Sequence, residues 1–179
     1  MAAFDRADEL SHPLDYRLAA DGFVTMFWSP SVLAKAVTWL EEHGYRIVRG
    51  QASSWHTDTD MHRDLAALLD FPEYYGGNLH ALSDCLYSVS LGDFGLSDDD
   101  TGLVLVLDGF DQFFERNKDL AWALLDIYAG CARRAALTGT RMLCLVQSDE
   151  PHLDVPNVGA QPVTWNDAEF FEKKRRDDG

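Results

Sequence analysis

Residues 71–86 hold the side chains whose types and spacing could do chemistry. His80 and Asp84 are four residues apart, which places an imidazole and a carboxylate on the same side of a helix. This pair could act as a general base and its orienting acid, or form part of a polar binding surface. The sequence has no nucleophile elbow, glycine-rich phosphate loop or paired-cysteine zinc spacing. We therefore expect a binding protein and not an enzyme, with no cofactor and no metal, and keep catalysis by His80 as an alternative.

The local sequence predicts how these side chains are positioned. Pro72 lacks an amide donor and should stop the preceding helix at Phe71, and the Gly-Gly pair at 76–77 permits a tight turn. Asn78 is a favourable N-cap for a helix that runs to about Val89. The apolar face of that helix comprises Leu79, Leu82, Cys85, Leu86 and Val89. Its polar face, headed by the loop residues Tyr74 and Tyr75, comprises His80, Ser83, Asp84 and Tyr87.

The run from Pro72 to Leu86 also resembles a known family. Its pattern, Pro-Glu-Tyr-Tyr-Gly-x-Asn-Leu-x-Ala-Leu-x-Asp-Cys-Leu, is similar to the signature of the barstar family, the intracellular inhibitors of the ribonuclease barnase. The resemblance covers about residues 45–149. It implies an α/β fold in two layers, with a small parallel sheet of three or four strands and helices mainly on one side. The predicted alternation of strands and helices agrees.

The same resemblance implies which residues bind a partner. In the family, the tyrosine loop and the acidic helix fill a ribonuclease active site, and Asp84 would be the carboxylate that takes the place of an RNA phosphate. The sequence departs from the family's founding member at His80 and near Gly130, where an acid is expected, and at Ser83, which replaces a large aromatic residue. The candidate partner-binding residues are Tyr74, Gly76, Asn78, His80, Ser83 and Asp84.

The implied function is that of an immunity protein that blocks a basic ribonuclease or a related toxin. A barstar-like scaffold that binds a non-nuclease partner through its acidic surface remains the alternative. The 179 residues include 30 acidic and 15 basic side chains, a net charge of −15, and four of the basic ones lie at 173–176. Such a surface repels nucleic acid and membrane phosphate and attracts basic proteins. We expect no nucleic-acid or membrane partner, and a monomer when the protein is free.

The cysteines and the chain start predict the compartment. Cys85, Cys131 and Cys144 are odd in number and widely spaced, which favours buried free thiols in a reducing cytoplasm over disulfides or a metal site. Residues 1–10 contain acids and no apolar stretch, so we expect no signal peptide. No run reaches the ~18 apolar residues that a membrane-spanning helix needs. The expected localisation is cytoplasmic.

A chain of this length is most simply a single domain, 1–179. We divide it into an N-terminal strand–helix extension at 1–44, a barstar-like core at 45–149 and a C-terminal extension at 150–179. Residues 1–20 should form a loose lead-in that Pro13 breaks. Predicted strands lie at 22–28, 45–48, 102–107, 142–146 and 163–165, the first two as a parallel pair. Predicted helices start at Pro30, Thr57 and Asn78, and a long one ends near Gly139.

Acids and histidines also cluster near residue 60. Asp58, Asp60 and Asp64 lie in the first turns of the predicted helix at 57–69, with His56 and His62 nearby. This composition could suggest a metal site, but the spacing fits no known set of ligands. We favour acids that complement the helix dipole and remain solvated.

Overall fold

A five-stranded, all-parallel sheet with helices on both faces forms the core of the computed structural model, which describes residues 12–20 and 22–171. The strand order is β2-β3-β4-β1-β5. The elements are α1 (Leu14–Ala20), β1 (Val24–Phe27), α2 (Pro30–Glu42), β2 (Tyr45–Gln51), α3 (Asp58–Leu68), α4 (Leu79–Leu91), β3 (Gly102–Asp108), α5 (Phe110–Arg116), α6 (Lys118–Thr138), β4 (Arg141–Gln147) and β5 (Thr164–Trp165).

The predicted α/β class and the parallel sheet are confirmed, but the sheet has five strands and not three or four. The difference arises because β1 and β5 come from the two extensions and continue the sheet beyond β4. Four helices, α3 to α6, cover one face, in agreement with the expected bias. The other two, α1 and α2, cover the opposite face, so the structure has three layers where two were expected.

The sequence of β3 explains why both faces need cover. Leu103, Leu105 and Leu107 pack into the cluster beneath α3 to α6, whereas Val104 and Val106 pack beneath α2. Because successive side chains of a strand point to opposite faces, an unbroken apolar strand requires an apolar layer on each side. The continuous apolar run of β3 therefore places it in the interior of the sheet.

The prediction that the first two strands form a parallel pair is wrong. β1 pairs with β4 and β2 pairs with β3, so two strands lie between them. The reason is the relative polarity of the strands. β2 carries Arg46 and Arg49 and therefore takes an edge of the sheet, where charged side chains reach water, while the apolar β3 and β4 fill the centre.

The lead-in is more ordered than the sequence suggested over the part that is described. Pro13 does not prevent a helix, because α1 begins directly after it and Arg17 N–H donates to the Pro13 carbonyl at 3.2 Å. After β3 the chain enters α5 (Phe110–Arg116), a short helix that the sequence did not predict, whose Phe110 and Phe113 are buried. The chain start at 1–10, where we expect no signal peptide, and the basic residues at 173–176 lie outside the described residues.

The prediction of buried free thiols is confirmed, since Cys85, Cys131 and Cys144 are free and buried. Burial raises the pKa of each thiol. No helix in the described ranges combines the length and the apolar character that crossing a membrane would require.

Glu169 attaches the C-terminal extension to the rest of the fold. Its side chain is fully buried, and its Oε1 accepts hydrogen bonds from the backbone N–H groups of Trp28 and Ser29, both at 3.0 Å. These donors lie at the N-terminus of α2, where Ser29 makes no capping bond with its own side chain. A carboxylate from 140 residues away thus satisfies the helix end.

We expect Glu169→Ala to lower the free energy of unfolding by about 2 kcal/mol, because it leaves two backbone donors at a buried helix end without their charged acceptor. Asp167→Ala is the matched control, since Asp167 only pairs with Arg17 at an exposed site and should cost less than about 1 kcal/mol. Urea unfolding monitored by tryptophan fluorescence measures both. Equal losses would show that the buried carboxylate is not the anchor.

Candidate protein-docking face

The loop between α3 and α4 begins with an unusual backbone conformation. Asp70 has a φ of 55°, in the left-handed region, and the Phe71 N–H donates to the Ala66 carbonyl at 2.9 Å. This bond closes the end of α3, so the helix ends at Leu68, one residue before the predicted end at 69 and ahead of Phe71, where Pro72 excludes further helix. Pro72 follows and cannot extend it.

Arg46 of β2 holds both ends of the segment that contains this loop and α4. Its Nη2 donates to Asp70 Oδ2 at 2.8 Å, and its Nη1 donates to the Gly95 carbonyl at 2.7 Å. Asp70 precedes the loop and Gly95 follows α4. One guanidinium on a paired strand therefore links both ends of residues 70–95 to the sheet, while the buried apolar face of α4 holds the helix itself.

The two loop tyrosines point in different directions. Tyr75 is half-buried, its ring packs against Phe71 with centroids 4.9 Å apart, and its hydroxyl is hydrogen-bonded to His62 Nδ1. Burial raises the pKa of the Tyr75 hydroxyl. Tyr74 is 79% exposed. Tyr75 thus fixes the loop to the core while Tyr74 is presented to solvent.

Asn78 and the glycines before it form the start of α4. Asn78 Oδ1 accepts from the Ala81 N–H at 3.0 Å, which confirms the predicted N-cap, and its Nδ2 donates to the Gly76 carbonyl at 3.3 Å. Gly77 has a φ of 58°, and a Cβ on Gly76 would lie 3.1 Å from Asn78 Nδ2. In the free protein, Gly76 and Asn78 therefore shape the turn from the loop into the helix.

The predicted division of α4 into two faces is confirmed. His80, Asp84 and Tyr87 are exposed and Ser83 is half-buried, while the apolar residues Leu82, Cys85, Leu86 and Val89 are buried and Leu79 is half-buried. Within the described ranges Asp84 has no ion-pair partner. We call the polar face of α4 together with the loop residue Tyr74 the docking face; it comprises Tyr74, His80, Ser83, Asp84 and Tyr87.

Helix α6 borders the docking face, which the sequence did not reveal. The Cys131 thiol donates to the Ser83 carbonyl at 3.8 Å, and the guanidinium of Arg134 lies 5.2 Å from the centroid of the Tyr87 ring. Gly130, near which the family has an acid, lies one turn before Arg134, and an added Cβ there would meet no atom within 4 Å. No local sequence signal pairs α6 with α4, because these contacts join residues 47 or more positions apart.

The geometry gives little support for catalysis or metal binding. No hydrogen bond joins His80 to Asp84 in the described part of the chain, although both are exposed on α4. Residues 12–20 and 22–171 contain no group of three or more His, Cys, Asp or Glu side chains that could hold a metal ion. The acids near residue 60 serve the helix. Asp60 forms a capping box with Thr57. The hydrogen bonds that Thr57 donates to the Asp60 carboxylate lower the pKa of Asp60.

Comparison with known proteins identifies the central part of the chain. The sequence model of a family described as Barstar (barnase inhibitor) matches residues 35–147. The match begins inside α2, earlier than the resemblance at about residue 45, and ends at the last residue of β4. No curated protein matches the sequence.

Similarity to solved structures is weaker. A chain in "Structure of Drosophila ORC bound to AT-rich DNA and Cdc6" is 18% identical, with a TM-score of 0.48 over 88% of this chain. This protein spans 56% of that chain, little more than half its length. Similarity at this level carries no functional argument.

Acid should weaken the attachment of the loop at His62. Burial holds the pKa of this imidazole below its ordinary value of 6.5, outweighing the opposite effect of Asp58. Because the folded state prefers the neutral ring, the contribution of neutral His62 to the stability of the fold is complete above about pH 6.5. That contribution is lost as the pH falls through the pKa that His62 has in the folded state, which is the lower of the two. We expect the free energy of unfolding of wild type to fall more steeply over this range than that of His62→Gln. The difference in slope should correspond to about one proton taken up on unfolding.

Urea titrations at a series of pH values between about 7 and 5 measure this difference, with His62→Gln as the variant that can still hydrogen-bond to Tyr75 but does not titrate. Parallel stability curves for the two proteins would contradict the assignment of acid sensitivity to His62.

Proposed function

Because the chain belongs to the barstar family, we propose that it is an intracellular inhibitor that binds and blocks a basic ribonuclease or a related toxin through its docking face. The family's description as a barnase inhibitor supports an inhibitory function. The proposal adds the class of partner, a basic ribonuclease or a related toxin. A ribonuclease cleft binds RNA phosphates with cationic side chains. A carboxylate of suitable position can occupy the same cations.

One observation carries the proposal: Asp84 is an exposed carboxylate on a rigid helix with no ion-pair partner in residues 12–20 and 22–171. An unpaired carboxylate can bind a partner's cations without first breaking an internal salt bridge. Tyr74 in the loop before α4 and Tyr87, one turn after Asp84, are 79% and 43% exposed. Aromatic side chains around a charged centre are typical of protein interfaces, where they exclude water from the pair.

The attachment of the loop also favours tight binding. Tyr75 is fixed by Phe71 and His62, and Arg46 holds the segment at both ends. A surface that is already ordered loses less conformational entropy on binding. The docking face is therefore suited to bind without folding first.

The overall charge would assist encounter with a basic partner. A net charge of −15 attracts a cationic protein over long range and speeds association at low salt. The exposed Asp98 and Asp99 in the loop after α4 add to this field. In this proposal the core at 45–149 carries the docking face that contacts the partner. The extensions at 1–44 and 150–179 complete a single domain. The protein is a cytoplasmic monomer until it binds.

A second candidate is a barstar-like scaffold that binds a non-nuclease protein. The observation in its favour is the low acidity of the docking face itself, since Asp84 is the one acidic residue of α4 and His80 lies one turn before it. Most of the negative charge is elsewhere. A partner with fewer cations than a nuclease cleft would also fit such a face.

We expect Asp84→Ala to weaken inhibition of a basic ribonuclease by at least about 2 kcal/mol, because the partner's phosphate-binding cations would be left desolvated and unpaired. This expectation is informed by the family as well as by the geometry. The experiment measures RNA cleavage by a panel of purified basic ribonucleases, barnase included, at increasing inhibitor concentration. The free energy of unfolding of Asp84→Ala should stay within about 0.5 kcal/mol of wild type.

Asp98→Ala is the control, since it removes the same charge from an exposed loop outside the docking face. It should slow association modestly, and the effect should disappear at high salt. If the two substitutions weaken inhibition equally, generic negative charge and not the docking face is responsible. If wild type inhibits none of the ribonucleases, the non-nuclease partner becomes the better interpretation.

A further inference from the structure

Arg134 brings a fixed positive charge to the docking face. It is exposed on α6, its guanidinium lies 5.2 Å from the centroid of the Tyr87 ring, and its Nη2 donates to Cys131 Sγ at 3.8 Å. No carboxylate among the described residues forms an ion pair with it. Stacking on an aromatic ring orients a guanidinium while leaving its hydrogen-bond donors available to another molecule.

This cation lies close to Asp84. The Cys131 sulfur contacts both the guanidinium of Arg134 and the carbonyl of Ser83, the residue that precedes Asp84. The pKa of the Cys131 thiol is raised mainly by burial, is lowered by Arg134 and is raised by Asp84, so both charges act on the same sulfur. The docking face and its border on α6 therefore carry one negative and one positive group around Cys131.

The space next to Arg134 is open. Gly130 lies one turn earlier on α6, and a Cβ added there would meet no atom within 4 Å. Within 4 Å of that position no neighbouring atom stands in the way of a partner's side chain. The stacked guanidinium offers a carboxylate the planar, two-donor geometry that it binds best.

A cleft lined only with phosphate-binding cations is a poor match for this arrangement. It would attract Asp84 and repel Arg134, and juxtaposed like charges at an interface are costly. We propose that Arg134 is a specificity-determining residue of the docking face, which selects a ribonuclease or toxin that presents a carboxylate beside the cations that bind Asp84. The inference rests on the proposed function and narrows its partner to a mixed-charge surface.

The experiment uses barnase as a probe of a cationic RNA-binding cleft and measures inhibition of RNA cleavage. Arg134→Glu should inhibit barnase at about tenfold lower concentration than wild type, because a repulsive charge becomes an attractive one. Arg134→Met, which keeps an unbranched side chain over Tyr87 without the charge, should give an intermediate gain. Arg133→Glu is the matched control. It makes the same change of charge one residue away, and the guanidinium of Arg133 lies beside Gly159 of the C-terminal extension.

The sign should reverse for a ribonuclease that suits the wild-type face. For any member of the panel that wild type inhibits better than barnase, Arg134→Glu should weaken inhibition about tenfold, because the partner's carboxylate then meets a carboxylate. If Arg134→Glu instead tightens inhibition of every such ribonuclease, the proposal that the ribonuclease presents a carboxylate to Arg134 is wrong.

Asp84→Ala in each background separates this inference from the proposed function. If inhibition depends on Asp84 while Arg134→Glu behaves like Arg133→Glu, the docking face is correct and Arg134 does not determine specificity. If neither wild type nor Arg134→Glu inhibits barnase, the inference is overturned, because removing the cation should admit a cationic cleft. The proposed function then depends on the rest of the panel alone.

Discussion

The docking face depends on a segment that is held by the buried side chains of α4 and by two hydrogen bonds of Arg46, one to Asp70 and one to the Gly95 carbonyl. These two bonds join the beginning and the end of the segment to β2, which is paired with β3 along its whole length. The loop and α4 are otherwise held by the burial of Leu82, Leu86 and Val89 in the core. Because one guanidinium donates to both ends, the loop before α4 and the chain after it are held to the same strand. The backbone of Asp70, in the left-handed region, is kept in place by the same contact.

The docking face combines rigid support with unsatisfied charge. Tyr75 and Asn78 direct their polar atoms inward, to His62 and to the loop backbone, and so order the surface. Asp84 and Arg134 carry full charges that no described residue of opposite charge neutralises. In a monomer these charges are stable because water solvates them. In a complex they would set which partner binds, since burying either group without an opposite charge is costly.

The two extensions solve a packing problem that the matched region alone would have. β3 and β4 carry apolar side chains on both faces of the sheet, and α3 to α6 cover only one of these faces. α2 and α1 cover the other, while β1 and β5 lengthen the sheet beside β4. Glu169 then joins the last described turn to the start of α2. The family match, which begins inside α2, includes part of this second layer.

The sequence by itself determined the features that depend on neighbouring residues. These include the class of fold, the start of α4 at its Asn78 cap, the two faces of that helix and the buried thiols, because caps and periodicity act over a few residues. The tertiary structure decided the strand order, the third layer and the contacts of Arg46 and Arg134. The strand pairings, the two bonds of Arg46 and the stacking of Arg134 on Tyr87 join residues more than twenty positions apart, and several arrangements satisfy the same local pattern. The packing of whole elements selects among them, and no short stretch of sequence contains that information.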